Sequence, residues 1–307
     1  MKRGKRMKKK IITSLLSAAL LMPAIAHAEG NKAIQNASTS SKVTSVSKAS
    51  KAKGWVKQQG KWYYYDKNGK KVTGWLSTGG KRYYFSAFGV MQTGWMPIQD
   101  KKTGKTTYYY FDENTGVMRT GWVQINGSWY FFNNKGAKQT GWLSNGGKRY
   151  YLGDYGIMQK GWVSFKNKKT GKYTYYYFNE NSGAMQTGWA QIKGNRYFLN
   201  NKGVKQTGWL SNGGKWYYLG DFGIMETGKR FINNTNYYFD KSGVMKTGWQ
   251  KIGNYWHYFN NNGSEHHGWL KLGNKWYYLD SFGERVTGKK WINGKYYKFD
   301  KNGVWIG

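Results

Sequence analysis

Tryptophan and tyrosine at fixed intervals are the side chains on which any chemistry of this chain rests. Its 307 residues include 17 Trp, 27 Tyr and 14 Phe. In the run Lys61-Trp62-Tyr63-Tyr64-Tyr65, Trp62 and Tyr64 are two apart and share one face of an extended strand. Flat rings so placed fill a core or stack on sugars. The groups that other chemistries need are missing or badly placed. The chain has no Cys, which excludes thiol catalysis, disulfide staples and Cys-based zinc sites. His266 and His267 are adjacent and would point to opposite faces of a strand, a poor start for one metal site. With His257 they read as exposed loop histidines. Asp66, Asp112, Asp240, Asp280 and Asp300 recur at one turn position and read as turn formers, not as a paired acid and base. The glycines follow the same period, so they serve turns and not a phosphate loop. No catalytic residue, metal or cofactor is expected, and the chain reads as no enzyme.

The elements that position these rings come from one repeat. Gly-Trp recurs at Trp55, Trp75, Trp95, Trp122, Trp142, Trp162, Trp189, Trp209, Trp249 and Trp269, with Gly-Lys in its place at Lys229 and Lys289. The interval is 20 residues, except for two units of 27 that begin at Trp95 and Trp162. A period of this fidelity indicates an array of small units rather than ordinary domains. In the first unit, Trp55–Gln58 predicts a strand, Gln59-Gly60 a tight turn, Lys61–Tyr65 a second strand and Asp66–Gly69 a turn. One hairpin is marginal alone, so the units must stack. The expected fold is all-β: a solenoid of twelve hairpins over residues 54–307. Every third unit is distinct. The third and sixth are lengthened at 100–107 and 167–174, both with Lys-Lys-Thr-Gly-Lys, and the ninth and twelfth lose the Gly-Trp. Three hairpins per superhelical turn would align the long basic ones along one edge.

Ahead of the repeats, residues 1–10 are strongly basic, Ile11–Ile25 is largely apolar, and Ala26-His27-Ala28 offers a small-residue cleavage site. Residues 1–28 thus predict a secretory signal peptide, too short in its apolar run for a membrane span. Residues 29–53, rich in Ser, Lys and Ala and without an aromatic, predict a disordered linker. The formal charge is +36, and loss of the seven basic residues in the signal lowers it to +29. Such a charge asks for an anionic partner. Outside the cell that points to teichoic acid or phosphorylated wall glycan, and no physiological nucleic acid partner or transmembrane span is expected.

The pattern T-G-W-x(4)-G-x-W-Y-Y-x(4)-G, clear at Gly54–Gly69 and Gly268–Gly283, resembles the choline-binding or cell-wall-binding repeat of Gram-positive surface proteins. Related repeats occur in glucan-binding regions of glucosyltransferases and receptor-binding regions of clostridial toxins. The resemblance covers residues 54–307. It implies a β-solenoid that adheres to cell-wall polymer, and aromatic boxes between repeats that attract a quaternary ammonium by cation–π interaction, at about 2 kcal/mol or more when desolvated. Two rings of one second strand and the next Gly-Trp would form each box. The boxes are then Trp62, Tyr64 and Trp75; Trp129, Phe131 and Trp142; Trp256, Tyr258 and Trp269; and the tyrosine versions Tyr108, Tyr110 and Trp122, and Tyr175, Tyr177 and Trp189. Arg82, Arg149 and Arg196 replace a strand tryptophan and could stack into a box and repel a cation. Trp216/Tyr218 and Trp276/Tyr278 meet Lys229 and Lys289, and Asn236 weakens a further box.

The expected function is a secreted, non-catalytic wall-binding protein that holds choline, teichoic acid or glycan. The boxes would give selectivity, and Lys101, Lys102, Lys168 and Lys169 would contact anionic polymer. The alternatives are a carbohydrate-binding surface adhesin and a targeting subunit for a partner wall enzyme.

Overall fold

A computed structural model describes residues 52–307, which contain twenty-four strands and no helix. The expected signal peptide 1–28 and all but the last two residues of the linker 29–53 lie outside the described residues. The strands make twelve antiparallel hairpins, each a two-stranded sheet of its own. Numbered in chain order, hairpins 1 to 12 begin at Gly54, Gly74, Gly94, Gly121, Gly141, Gly161, Gly188, Gly208, Gly228, Gly248, Gly268 and Gly288.

In hairpin 1, β1 (Gly54–Gln58) pairs with β2 (Lys61–Tyr65) in the register Trp55↔Tyr64 and Val56↔Tyr63. Gln59 and Gly60 both have positive φ, 49° and 76°. That turn geometry matches the right-handed twist of the paired strands. The second turn is built on a side chain: the Asp66 carboxylate accepts the N–H groups of Asn68 and Lys70 at 2.9 and 2.8 Å. Asp240, Asp280 and Asp300 do the same in their units. Asp112 accepts the Thr115 hydroxyl and pairs with Arg119, and these bonds, the Thr115 one foremost, hold its carboxyl at about 2.

After the second turn the chain makes one bridge back to its own strand and one bond to the hairpin before it. Met91 donates its N–H to the Trp62 carbonyl at 2.8 Å, and the equivalent bond recurs at each of the eleven junctions, ending with Trp305 to Trp276. The hairpins therefore stack in sequence order with a fixed facing. Period-2 alternation puts Trp55 and Tyr64 on one face of hairpin 1, and Tyr83 and Phe85 on the opposite face of hairpin 2. These two faces meet: the Trp55 ring lies 4.7 Å from Tyr83 and 5.9 Å from Phe85. The last residue of each second strand, a Phe or Leu from Phe85 onward, is almost wholly buried and pairs with the first Gly of its hairpin, as in Gly74↔Phe85. The core is thus a row of single rings and leucines, one per hairpin.

Three details differ from the sequence reading. Strands begin at the Gly of Gly-Trp rather than at the Trp. In the long units one extra residue sits in the second turn, where Gly116 bonds back four residues to Asp112 while Gly69 bonds back three to Asp66. His257 is not a loop residue but a buried member of a second strand (Tyr255–Phe259).

The glycines of the second turns carry the stacking. Gly263 has φ +84°, and a Cβ there would stand 2.3 Å from the Met245 sulfur of the hairpin before it. Gly263→Ala should cost about 1–2 kcal/mol for the left-handed backbone alone, plus the displacement of Met245. Gly253→Ala meets a positive φ but open space, so it should lower the thermal midpoint less. Equal losses at the two positions would show that the methionine contact is not structural.

Aromatic cages between consecutive hairpins as the candidate functional site

Each junction brings four positions together, and their side chains decide its character. Hairpin n supplies its Gly-Trp tryptophan and the fourth-from-last residue of its second strand. Hairpin n+1 supplies the third-from-last residue of its second strand and the residue that follows its second turn. The main chain fixes this set, because the N–H of the fourth residue bonds to the carbonyl of the second. At junction 8 the four are Trp209, Trp216, Tyr237 and Met245. The Trp209 ring lies 6.3 Å from Trp216 and 4.7 Å from Tyr237, both near-perpendicular. With Asn261 and Asn262 these residues line a cavity of about 480 Å³. Three further junctions carry the same chemistry. Junction 1 has Trp55, Trp62, Tyr83 and Met91, with Trp55–Trp62 at 6.3 Å. Junction 4 has Trp122, Trp129, Tyr150 and Met158, with Trp122–Tyr150 at 4.9 Å. Junction 11 has Trp269, Trp276, Tyr297 and Trp305, with Trp269 at 6.3, 4.9 and 5.9 Å from the other three.

Six junctions have the rings and also a cation of the chain itself. At junctions 2, 5 and 7 the second-strand residue is Arg82, Arg149 or Arg196, and its guanidinium lies 4.4, 4.5 or 4.6 Å from the centre of Trp75, Trp142 or Trp189. At junctions 3 and 6 the fourth residue is lysine. Lys138 stands 4.8 Å from Tyr108 and 5.8 Å from Trp95, and Lys205 stands 4.5 Å from Tyr175 and 5.8 Å from Trp162. Burial pushes both ammonium groups below the ordinary lysine range. At junction 10, Arg285 lies 5.7 Å from both Trp249 and Trp256.

Junction 9 has exchanged all four positions, for Lys229, Asn236, His257 and Glu265. The buried Glu265 carboxylate accepts from Lys229 at 2.6 Å and Asn236 at 2.8 Å, and lies 2.8 Å from His257 Nδ1 and 3.6 Å from His267 Nε2. Burial pushes the Glu265 carboxyl up, but the bonds from His257 and Lys229, with the Lys229 charge and Asn236, outweigh it and hold it below its ordinary value. Among the described residues no group of three His, Cys, Asp or Glu is placed to hold a metal.

The rings expected to form boxes are therefore grouped differently. Trp62 and Trp75 stand at different junctions, because Trp75 faces forward onto Tyr109 of hairpin 3. Tyr64, Tyr110, Phe131, Tyr177 and Tyr258 each pack at 5.1–5.4 Å against the tryptophan of their own hairpin. Of the remaining expected rings, Trp62 belongs to junction 1, Trp122 and Trp129 to junction 4, and Trp269 to junction 11. Tyr108, Tyr175, Trp256, Trp75, Trp142 and Trp189 all face a cation of the chain. The sequence reading missed the middle tyrosine and the methionine. Lys101, Lys102, Lys168 and Lys169 are exposed on the two long first turns, whose loops close on Asp100 and Asn167.

The family model for the choline-binding repeat matches residues 72–120, 119–154, 186–225 and 246–287, and a second model, for a cell wall binding repeat, matches 53–71 and 230–245. No curated protein sequence matches the chain. Among solved structures it is similar to CbpJ from Streptococcus pneumoniae, with 32% identity and a TM-score of 0.58 over 82% of this chain and 99% of that one. It is also similar to choline binding protein F from the same organism, solved in the presence of a peptidoglycan analogue, with 29% identity and a TM-score of 0.55 over 83% and 98%. A complex of CbpF with ipratropium matches at 28% identity and a TM-score of 0.55, over the same shares of the two chains. No helix among the described residues is long and apolar enough to cross a membrane.

Proposed function

This chain belongs to the choline-binding repeat family, and from that premise we propose that it is a secreted, non-catalytic module that attaches to choline-bearing teichoic acid in a Gram-positive cell wall. The observation that carries the reading is the cage at junction 8: two tryptophans, a tyrosine and a methionine around a cavity of about 480 Å³, with the same chemistry at junctions 1, 4 and 11. A trimethylammonium group has no hydrogen to donate, so π faces and a thioether suit it better than a carboxylate alone. The basic long turns, with Lys101, Lys102, Lys168 and Lys169, add a salt-sensitive attraction to the phosphates of the same polymer. The hairpins are proposed to wind as a solenoid with about three per turn. That period is echoed by Phe88, Tyr155, Phe222 and Phe282, which occupy the second-turn tip of every third hairpin and are 72–85% exposed. The same exposed rings favour a second reading, glycan binding by stacking.

Purified residues 29–307 should sediment with choline-bearing walls, release on free choline, and ignore dextran. Raising salt should weaken the binding without abolishing it, because a desolvated cage is screened little. Binding that disappears at high salt and is indifferent to choline would leave only the charged turns. Release by dextran would favour the glycan reading, and a clearing band in wall zymography would overturn the non-catalytic one.

A further inference from the structure

We infer that Arg82, Arg149, Arg196, Lys138, Lys205 and Arg285 are built-in occupants of six cages, so that the chain holds six latent quaternary-ammonium sites beside four receptive ones. The inference rests on the reading of the receptive cages as cation sites and adds which junctions are already served. Three observations support it. All six cations lie within 6 Å of the ring centres that a bound ammonium would face. They arrive by two unrelated routes, a second-strand arginine from one hairpin or a lysine or arginine from the next, and each route ends over the same Gly-Trp ring. The two lysine ammonium groups also have hydrogen-bond partners. Lys138 and Lys205 donate to the Tyr155 and Phe222 carbonyls, 2.8 and 2.9 Å away in the following hairpin. The Arg285 Nε is buried with no hydrogen-bond partner; the side chain packs against Gly303 and holds its guanidinium 5.7 Å from both Trp249 and Trp256. By contrast Lys57 and Lys271 approach only the outer tryptophan at junctions 1 and 11, at 5.7 and 5.5 Å, from the cross-strand position.

Lysine to methionine at position 138 or 205 converts a served junction to the methionine-walled pattern by one change. The test is the number of choline equivalents bound by the full described chain, measured by calorimetric titration. The wild-type chain should bind four, Lys138→Met five, and Lys138→Met/Lys205→Met six, while Lys67→Met, which removes the same charge from an exposed turn of hairpin 1, should stay at four. More than four sites in the wild type, or an unchanged count in a double variant whose circular dichroism is intact, would overturn the inference and leave the receptive cages standing. A wild type that binds no choline would overturn the cage reading instead. The inference is then decided without ligand, as it also is should the variants misfold. The ε-methylene protons of Lys138 and Lys205 should resonate upfield of those of Lys102, shifted by the ring currents above them. Coincidence with Lys102 would refute it.

Discussion

Trp62→Ala, Trp129→Ala, Trp216→Ala and Trp276→Ala combined in one chain should leave the hairpins folded and reduce retention on choline-bearing wall by roughly 10²–10⁴-fold. These four rings are the outer walls of the receptive cages. Trp216 is 48% exposed and Trp62 38%, so their removal opens little of the core, whereas Trp55, Trp209 and Trp269 pack at 5.8–5.9 Å on the buried Phe of the next hairpin. A cation–π contact in a desolvated cage contributes about 2 kcal/mol, which corresponds to a roughly thirtyfold weaker site when it is lost. Four linked sites multiply such losses on a polymer that presents many ligands. Near-ultraviolet circular dichroism would verify the fold, and sedimentation at low and high salt would measure retention. Wild-type retention by the folded quadruple variant at both salts would remove the cages from the account.

Glu265→Ala should be the most damaging change at a single polar position, at about 3–5 kcal/mol. It leaves Lys229, Asn236 and His257 facing one another at a buried junction without their common acceptor. Equilibrium unfolding followed by tryptophan fluorescence would measure it. The pH dependence has a definite sign. The Glu265 carboxyl lies below its ordinary value of 4.5 in the folded chain, so its contribution is complete above about pH 4.5 and is lost as pH falls through the lower folded value. His257, Lys229, Asn236 and His267 are the groups that face it. The stability gap between the wild type and the variant should therefore be widest near neutrality and shrink below pH 4.5. A gap that widens on acidification would contradict the assignment.

Much of this was legible in the residues. The Gly-Trp interval, with Gly-Lys in two units, located all twelve hairpins, and the turn aspartates and the Gln59-Gly60 turn followed from residue type, while boxes between repeats were what the family resemblance implied. The composition of each cage was not legible, for a definable reason. Alternation says that Trp62 and Tyr64 share a face, but not which face of the neighbour they meet. Tyr83 lies on the opposite face of its hairpin from Trp75, and that opposition is the signal that should have paired it with Trp55. The arginines at 82, 149 and 196 were recognised as cations able to enter a cage. Lys138, Lys205 and Arg285 were not, because they lie about 30 to 43 residues after the rings they cover, and only the bond from each to the preceding hairpin brings them there. His257 and Glu265 were hidden by the same separation.

The stacking bond from each hairpin to the one before it also governs how the chain reaches its fold. Met91 reaches back to Trp62, and among the described residues the side-chain hydrogen bond of longest span, from Lys229 to Phe282, crosses only 53 residues. Loop-closure entropy is therefore met in small increments, and contact order stays low for an all-β protein. A hairpin can dock as soon as its predecessor has formed, without waiting for the far end of the chain. A polypeptide that emerges from a membrane pore one end first can thus acquire its structure at the rate at which it emerges, with no more than the leading hairpin edge exposed at any time.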